Sequence, residues 1–199
     1  MIKALIQQWK LFILPCSLAI IVILIALMGD NLTQLLRYDS FAISDNYQYW
    51  RLFTAHFSHL GWSHLWLNVA GLMLIFVFFT ACLSTRYWIT SFLIASLSIS
   101  VLIYFLNPEI RWYVGLSGVL HALFILGGIA DIRIRKWEGI SFTAIILAKV
   151  IYEQIAGPLP GSEEAAGGPV LVDAHFYGAM TGLILALPLI KEQLQSKKR

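Results

Sequence analysis

Charged side chains are scarce in this chain. Of its 199 residues, 13% are Asp, Glu, Lys or Arg, against roughly 25% in soluble domains. Cysteine is scarcer still: Cys16 and Cys82 are the only two, both lie inside apolar runs, and neither stands at ligand spacing from a histidine or an acid. That excludes a disulfide framework and gives no metal pattern. No internal repeat or low-complexity tract occurs. What is there instead is apolar. Hydrophobic residues make up 59%, where soluble chains carry roughly 45–50%, and the mean hydropathy is +0.76. One globular core cannot absorb that excess, so a disordered chain, a basic nucleic-acid binder and a water-soluble enzyme are all excluded. The net charge of +3 acquires meaning only once the charges are placed.

A membrane-crossing helix needs about 20 mostly apolar residues. Six segments are read as spans: residues 11–28, 64–83, 87–106, 116–130, 140–155 and 170–190. The first is uncharged over its 18 residues, longer than the apolar core of a signal peptide (about 7–15 residues) and without an A-x-A cleavage site. The longest connection, residues 29–63, leaves no room for a soluble domain. The expected architecture is an all-α membrane protein, a bundle of six transmembrane helices forming a single domain over residues 1–199 with short cytoplasmic tails. Basic residues set the direction. With the N-terminus in the cytoplasm, Lys3, Lys10, Arg86, Arg133, Arg135, Lys136, Lys191, Lys197, Lys198 and Arg199 fall inside and only Arg37, Arg51 and Arg111 fall outside. Both termini are therefore expected to be cytoplasmic. The aromatic-rich stretch of residues 47–62 in the first outer loop is expected to lie at the headgroup level, with His59 hydrogen-bonding to hold it.

Strongly polar groups inside a bilayer are costly and face the bundle interior or a wet cavity. With this orientation the second span enters from outside at His64, and Asn68 follows one turn later on the same face. The fourth enters through Gly115-Leu116-Ser117-Gly118, and the sixth through Asp173 and His175. Three helices thus bring His64/Asn68, Ser117 and His175 to one depth. The fourth span has only 15 residues, about 22 Å at 1.5 Å per residue, against a hydrocarbon core of roughly 30 Å. Its outer end is therefore submerged, where irregular backbone is tolerated only around a protein-lined or water-filled cavity.

These groups suggest acyl transfer. Ser117 needs a base to become a nucleophile, and neutral His175 can take its proton. The Ser117 amide, His64 and Asn68 are candidate oxyanion donors. No carboxylate is evident to orient the histidine: Asp173, two residues before it, points elsewhere on the helix and reads as the cap of the sixth span. A bare dyad should turn over slowly. Lys149 and Glu153, at i, i+4 on the fifth span, read as a structural ion pair rather than a substrate contact. Taken singly, each feature has a plain reading, G-x-S-G as small-residue packing and Asn68 as a helix bridge; their agreement in depth is what points to a site.

The pattern resembles the rhomboid family of intramembrane serine proteases along nearly the whole chain. Trp50-Arg51 is similar to the W-R element of the first outer loop. His64-Leu65-Trp66-Leu67-Asn68 matches H-x-x-x-N, Gly115-Leu116-Ser117-Gly118 matches G-x-S-G, and Ala174-His175-Phe176-Tyr177-Gly178, continuing to Gly182, matches A-H-x-x-G-x-x-x-G. The resemblance implies Ser117 as nucleophile, His175 as base, His64 and Asn68 in the oxyanion hole, and Gly178 and Gly182 at a close crossing of the sixth and fourth spans. No metal or other cofactor is implied. The string Gly-Leu-Ser-Gly-Val-Leu-His over residues 115–121 looks like the rhombosortase branch, although Ala122 stands where that branch usually has Gly. At His121 common bacterial rhomboids often have a Tyr that stacks on the histidine; support of His175, support of a water and plain packing all stay open for it. The branch implies a multi-pass protein of the bacterial inner membrane. Its substrates would be exported, membrane-anchored proteins, cut near the outer face at a C-terminal Gly-Gly-type anchor. A general rhomboid protease of transmembrane helices and a catalytically silent client-binding protein are the alternatives.

Overall fold

The computed structural model describes residues 12–196, apart from the side chains of Leu194 and Ser196. The start of the first span and the basic residues Lys3, Lys10, Lys197, Lys198 and Arg199 lie outside the described residues. Helix α1 (Ile13–Leu27) leads into three short helices, α2 (Asp30–Leu36), α3 (Ser40–Ser44) and α4 (Arg51–Thr54). The chain continues through α5 (Trp62–Phe79), α6 (Thr85–Leu106), α7 (Ser117–Asp131), α8 (Lys136–Ala156), the short α9 (Ser162–Ala166) and α10 (Val172–Ser196). The all-α expectation needs one amendment. Residues of β1 (Tyr38–Asp39) and β2 (Trp112–Tyr113) form a two-residue antiparallel pair, Tyr38 opposite Tyr113, which ties the connection of residues 29–63 to the approach to α7.

Among the described residues, four stretches are long and apolar enough to cross a membrane: Trp62–Cys82, Thr85–Leu106, Lys136–Ala156 and Val172–Gln193. Helices α1 and α7 are apolar but have 15 residues each. Large apolar side chains such as Val77, Phe105, Ile145 and Ile184 are exposed on the outward faces, a surface suited to lipid rather than water. Helix ends differ by a few residues from the apolar limits, because backbone hydrogen bonding continues past the hydrophobic stretch. α6 begins at Thr85, where the Ser84 hydroxyl accepts from the Tyr87 N–H at 3.2 Å, and α10 runs through Lys191 to Ser196.

The short helix α7 sits at the centre. Every residue from Gly118 to Asp131 is buried except the partly exposed Phe124, and α5, α6, α8 and α10 all pack on it. Its closest neighbour is α10. A Cβ on Gly178 would collide with the carbonyl oxygen of Gly118, and one on Gly182 with that of Ala122. The two backbones touch, as the small-xxx-small spacing anticipates. At the opposite end of α7, buried Asp131 takes the Arg135 guanidinium at 3.0 and 3.1 Å.

The long connection of residues 29–63 is folded rather than a linker. Arg51 is buried, and its guanidinium donates to the carbonyls of Gln34 and Arg37 at 2.8 Å each and to Gln48 Oε1 at 2.7 Å. Trp50 beside it faces outward, 47% exposed. The histidine that ties this loop to the bundle is His56, not His59. His56 lies between the Ser96 carbonyl (2.8 Å) and the Gly115 carbonyl (3.3 Å), so whichever ring nitrogen carries the proton donates to one of them. His59 instead packs edge-on against His64, ring centres 5.1 Å apart.

Two expectations follow from this packing. Gly178→Ala drives a methyl group into the α7 backbone; overpacking of this kind costs about 1–3 kcal/mol, only partly offset by alanine's helix propensity, worth about 1 kcal/mol. Its midpoint of thermal unfolding in detergent should fall clearly, while Gly61→Ala, where a Cβ meets nothing within 4 Å, should stay close to wild type. The second concerns acid. Burial pushes the His56 pKa down to about 4 and that of His59 to about 3, whereas the unfolded chain titrates near 6.5. Between those values the unfolded state binds more protons, so stability is complete above about pH 6.5 and declines as pH falls toward 4. Tm should hold level down to about pH 7 and drop steadily below 6.5, with a shallower slope in His56→Gln; a level Tm down to about pH 5 contradicts the assignment.

Candidate active site

Helix α7 begins at Ser117, two residues after Gly115, whose backbone is left-handed at φ +122°. This glycine is required twice over: by its φ, and because a Cβ there would lie 2.7 Å from His64 Cε1 and 2.9 Å from Nε2. The first glycine of G-x-S-G thus lets the His64 ring lie against the turn. The second, Gly118, admits the carbonyl of Ala174, which a Cβ would meet at 2.7 Å. That approach brings the next residue, His175, to the start of α7.

Ser117 Oγ and His175 Nε2 are 2.9 Å apart. Ser117 is partly exposed and His175 is buried, and both line a cavity of about 740 Å³ together with His64, Asn68 and His121. The Leu60 N–H donates to His64 Nδ1 at 3.4 Å, so the proton of the neutral ring sits on Nε2, on the side facing Gly115. Asn68 is buried and donates from Nδ2 to the His64 carbonyl at 2.9 Å; an amide nitrogen carries two protons, so one remains for another acceptor. The Ser117 N–H, in the first turn of α7, has no partner within its own helix. The structure therefore brings all four expected residues together. His121 joins them: it donates from Nδ1 to the Ser117 carbonyl at 2.7 Å and stacks on His175 with ring centres 4.2 Å apart and planes 21° from parallel.

Two expectations are corrected. Asp173 does not cap α10, which starts at Val172; it lies in the first turn, where its charge suits the helix dipole, and accepts from Asn107 Nδ2 at 2.9 Å. The absence of a carboxylate beside the histidine is also overturned. Glu153 Oε2 lies 2.8 Å from His175 Nδ1 and its side chain is 1% exposed. Lys149 does pair with it, at 2.7 Å, so the i, i+4 ion pair is present, but the pair faces the histidine and lines the cavity. A signal for this existed in the sequence. Glu153 stands three residues before the end of α8 and His175 three residues after the start of α10, so antiparallel neighbours hold them at the same level.

His121, Glu153 and His175 bring potential ligand atoms within 4.8 Å of one another, the spacing of a metal site. The Lys149 ammonium already occupies the carboxylate oxygen and stands 3.4 Å from His175 Nδ1, where a metal cation would meet like charge. The donor set fits hydrogen bonding better than metal binding.

The Rhomboid domain model matches residues 46–192, a stretch that holds every residue of this site. No curated protein matches the chain at significant similarity. Because the match extends over well more than half of the sequence, the chain belongs to the rhomboid family of intramembrane serine proteases.

Proposed function

We propose that this protein is an intramembrane serine endopeptidase of rhombosortase type, with Ser117 as nucleophile and His175 as general base. The observation that carries the reading is the 2.9 Å contact between Ser117 Oγ and His175 Nε2 inside a cavity of about 740 Å³. Ser117 Oγ attacks the carbonyl carbon of the scissile peptide while its proton passes to His175 Nε2. The oxyanion takes hydrogen bonds from the Ser117 N–H, His64 Nε2–H and Asn68 Nδ2–H; one such donor is typically worth about 2.7–4 kcal/mol. Collapse breaks the C–N bond, and the proton on Nε2 leaves with the amine. A water activated by the same nitrogen then hydrolyses the acyl-serine ester.

Substrates are membrane-anchored proteins, and a transmembrane helix must unwind before its backbone reaches Ser117. Glycine lowers that cost by about 1 kcal/mol per residue relative to alanine, in keeping with a Gly-Gly-type C-terminal anchor. The chain is read as a single domain with six spans, α1 and α7 included, both termini in the cytoplasm of a bacterium and the cavity toward the outer face of its inner membrane. The basic Arg86, Arg133 and Arg135 at one end of the bundle and the acidic Glu109, Glu163 and Glu164 at the other support that direction.

Two measurements test the reading. A fluorophosphonate probe should label the wild type and neither Ser117→Ala nor His175→Ala; labelling that persists in Ser117→Ala removes the serine from its role. Matched membrane-anchored reporters that differ only in a Gly-Gly pair should be cut unequally, at least about tenfold in favour of the pair if two glycines ease unwinding by some 2 kcal/mol. Equal cleavage retains a protease and rejects the sortase-type specificity.

A further inference from the structure

The Lys149–Glu153 pair is more than a fastening on α8. A structural i, i+4 pair can lie along its own helix and needs no third group. Here the carboxylate is turned toward α10, its side chain is 1% exposed, and one oxygen, Oε2, serves both Lys149 Nζ at 2.7 Å and His175 Nδ1 at 2.8 Å. The protons of this cluster can be assigned from chemistry. An ammonium only donates and a carboxylate only accepts. If His175 carried its proton on Nε2, the bare Nδ1 lone pair would face a carboxylate oxygen at 2.8 Å. The arrangement that satisfies the two shortest contacts of the ring has Nδ1–H donating to Glu153 Oε2 at 2.8 Å and Nε2 accepting from the Ser117 hydroxyl at 2.9 Å, and leaves the Lys149 ammonium, 3.4 Å from Nδ1, to the carboxylate. That is the tautomer a general base needs. The His121 ring stacked at 4.2 Å covers one face of the imidazole, while Glu153 holds its edge.

We infer that Glu153 is the positioning residue of this site, a third member that fixes the tautomer and orientation of His175 and stabilises its imidazolium, with Lys149 balancing the carboxylate charge at rest. The inference rests on the reading of Ser117 and His175 as nucleophile and base. When Ser117 Oγ bonds to the acyl carbon, its proton moves to Nε2; Nδ1 keeps its own, and Glu153 stays a carboxylate throughout. The imidazolium then lies between a carboxylate at 2.8 Å and an ammonium at 3.4 Å. Removing the carboxylate charge leaves the ammonium unopposed beside a ring that must become positive.

The test measures saturation kinetics of fluorophosphonate inactivation of the full chain in detergent, so that binding (KI) separates from chemistry (kinact). Glu153→Gln should lower kinact at least tenfold, in the direction of the ~10⁴ lost when a triad acid is neutralised, with KI within about twofold of wild type. Glu153→Asp keeps the charge but falls one methylene short of Nδ1, and should show a comparable loss; it carries the test if Glu153→Gln does not accumulate. Lys149→Met leaves the carboxylate on the ring and should react at least ten times faster than Glu153→Gln. A kinact for either Glu153 variant within twofold of wild type overturns the inference, as does an equal loss in Lys149→Met and Glu153→Gln, which marks the pair as structural. Either result leaves the Ser117 assignment standing, whereas labelling of Ser117→Ala defeats the underlying reading.

Discussion

The approach of α10 to α7 governs the rest of the structure. Five small residues meet across it: Gly118 against the Ala174 carbonyl, Gly178 against the Gly118 carbonyl, and Gly182 against the Ala122 carbonyl. In lipid no hydrophobic force drives helices together, so association rests on van der Waals fit and on how closely the backbones approach. Two rods in backbone contact have little freedom to slide or turn, because any side chain wide enough to permit slippage has been removed. The serine and the histidine are the first-turn residues of those two rods at their shared end. Their 2.9 Å separation is thus a consequence of helix packing, set by glycines that never touch a reacting atom.

Given that frame, each imidazole in the cavity has its proton placed by a neighbour of fixed chemistry. A backbone N–H at Leu60 makes Nδ1 of His64 an acceptor. The Ser117 carbonyl makes Nδ1 of His121 a donor. The Glu153 carboxylate does the same for His175. Three rings within one pocket would otherwise interchange tautomers and orientations; here the main chain and one acid settle them. The connection of residues 29–63 contributes from further away, since His56 reaches the carbonyl of Gly115 and so braces the left-handed turn from which Ser117 projects.

The parts of this design that depend on one residue type at one spacing are legible in the sequence alone. The apolar runs, the two glycine-bearing motifs, and the matched depth of His64, Asn68, Ser117 and His175 all follow from helical rise and the cost of polar groups in lipid. What was not legible depends on the rotation of one helix about its own axis. Spacing along α8 predicts that Lys149 and Glu153 meet each other; whether they face lipid, α7 or α10 is decided by Gly139, where a Cβ would strike Ile132 N and the Gly128 carbonyl. A search limited to acids near His175 in sequence finds only Asp173, which turns to Asn107 instead. The folding of residues 29–63 was missed for a related reason. Arg51 is satisfied by carbonyls 14 and 17 residues away, contacts that carry no local signature.

The position of the Lys149–Glu153 pair is an argument about purpose. Burying an ion costs several kcal/mol, and an apolar pair of similar volume is often as stable or better; here Glu153 is 1% exposed and Lys149 27%. As a fastening for α8 the pair is a poor choice, the more so because α8 already interlocks with α7 at Gly128 and Gly139. The expense makes sense where a charge must act on a third group. A carboxylate in this setting does so strongly, since the same weak screening that makes it costly also strengthens its hold on a neighbouring imidazolium. An ammonium on the same oxygen tempers the cost at rest while Nδ1 keeps its shorter contact with that oxygen. The two charges stand where a transient positive charge forms in the proposed reaction, so that their desolvation is matched by a gain.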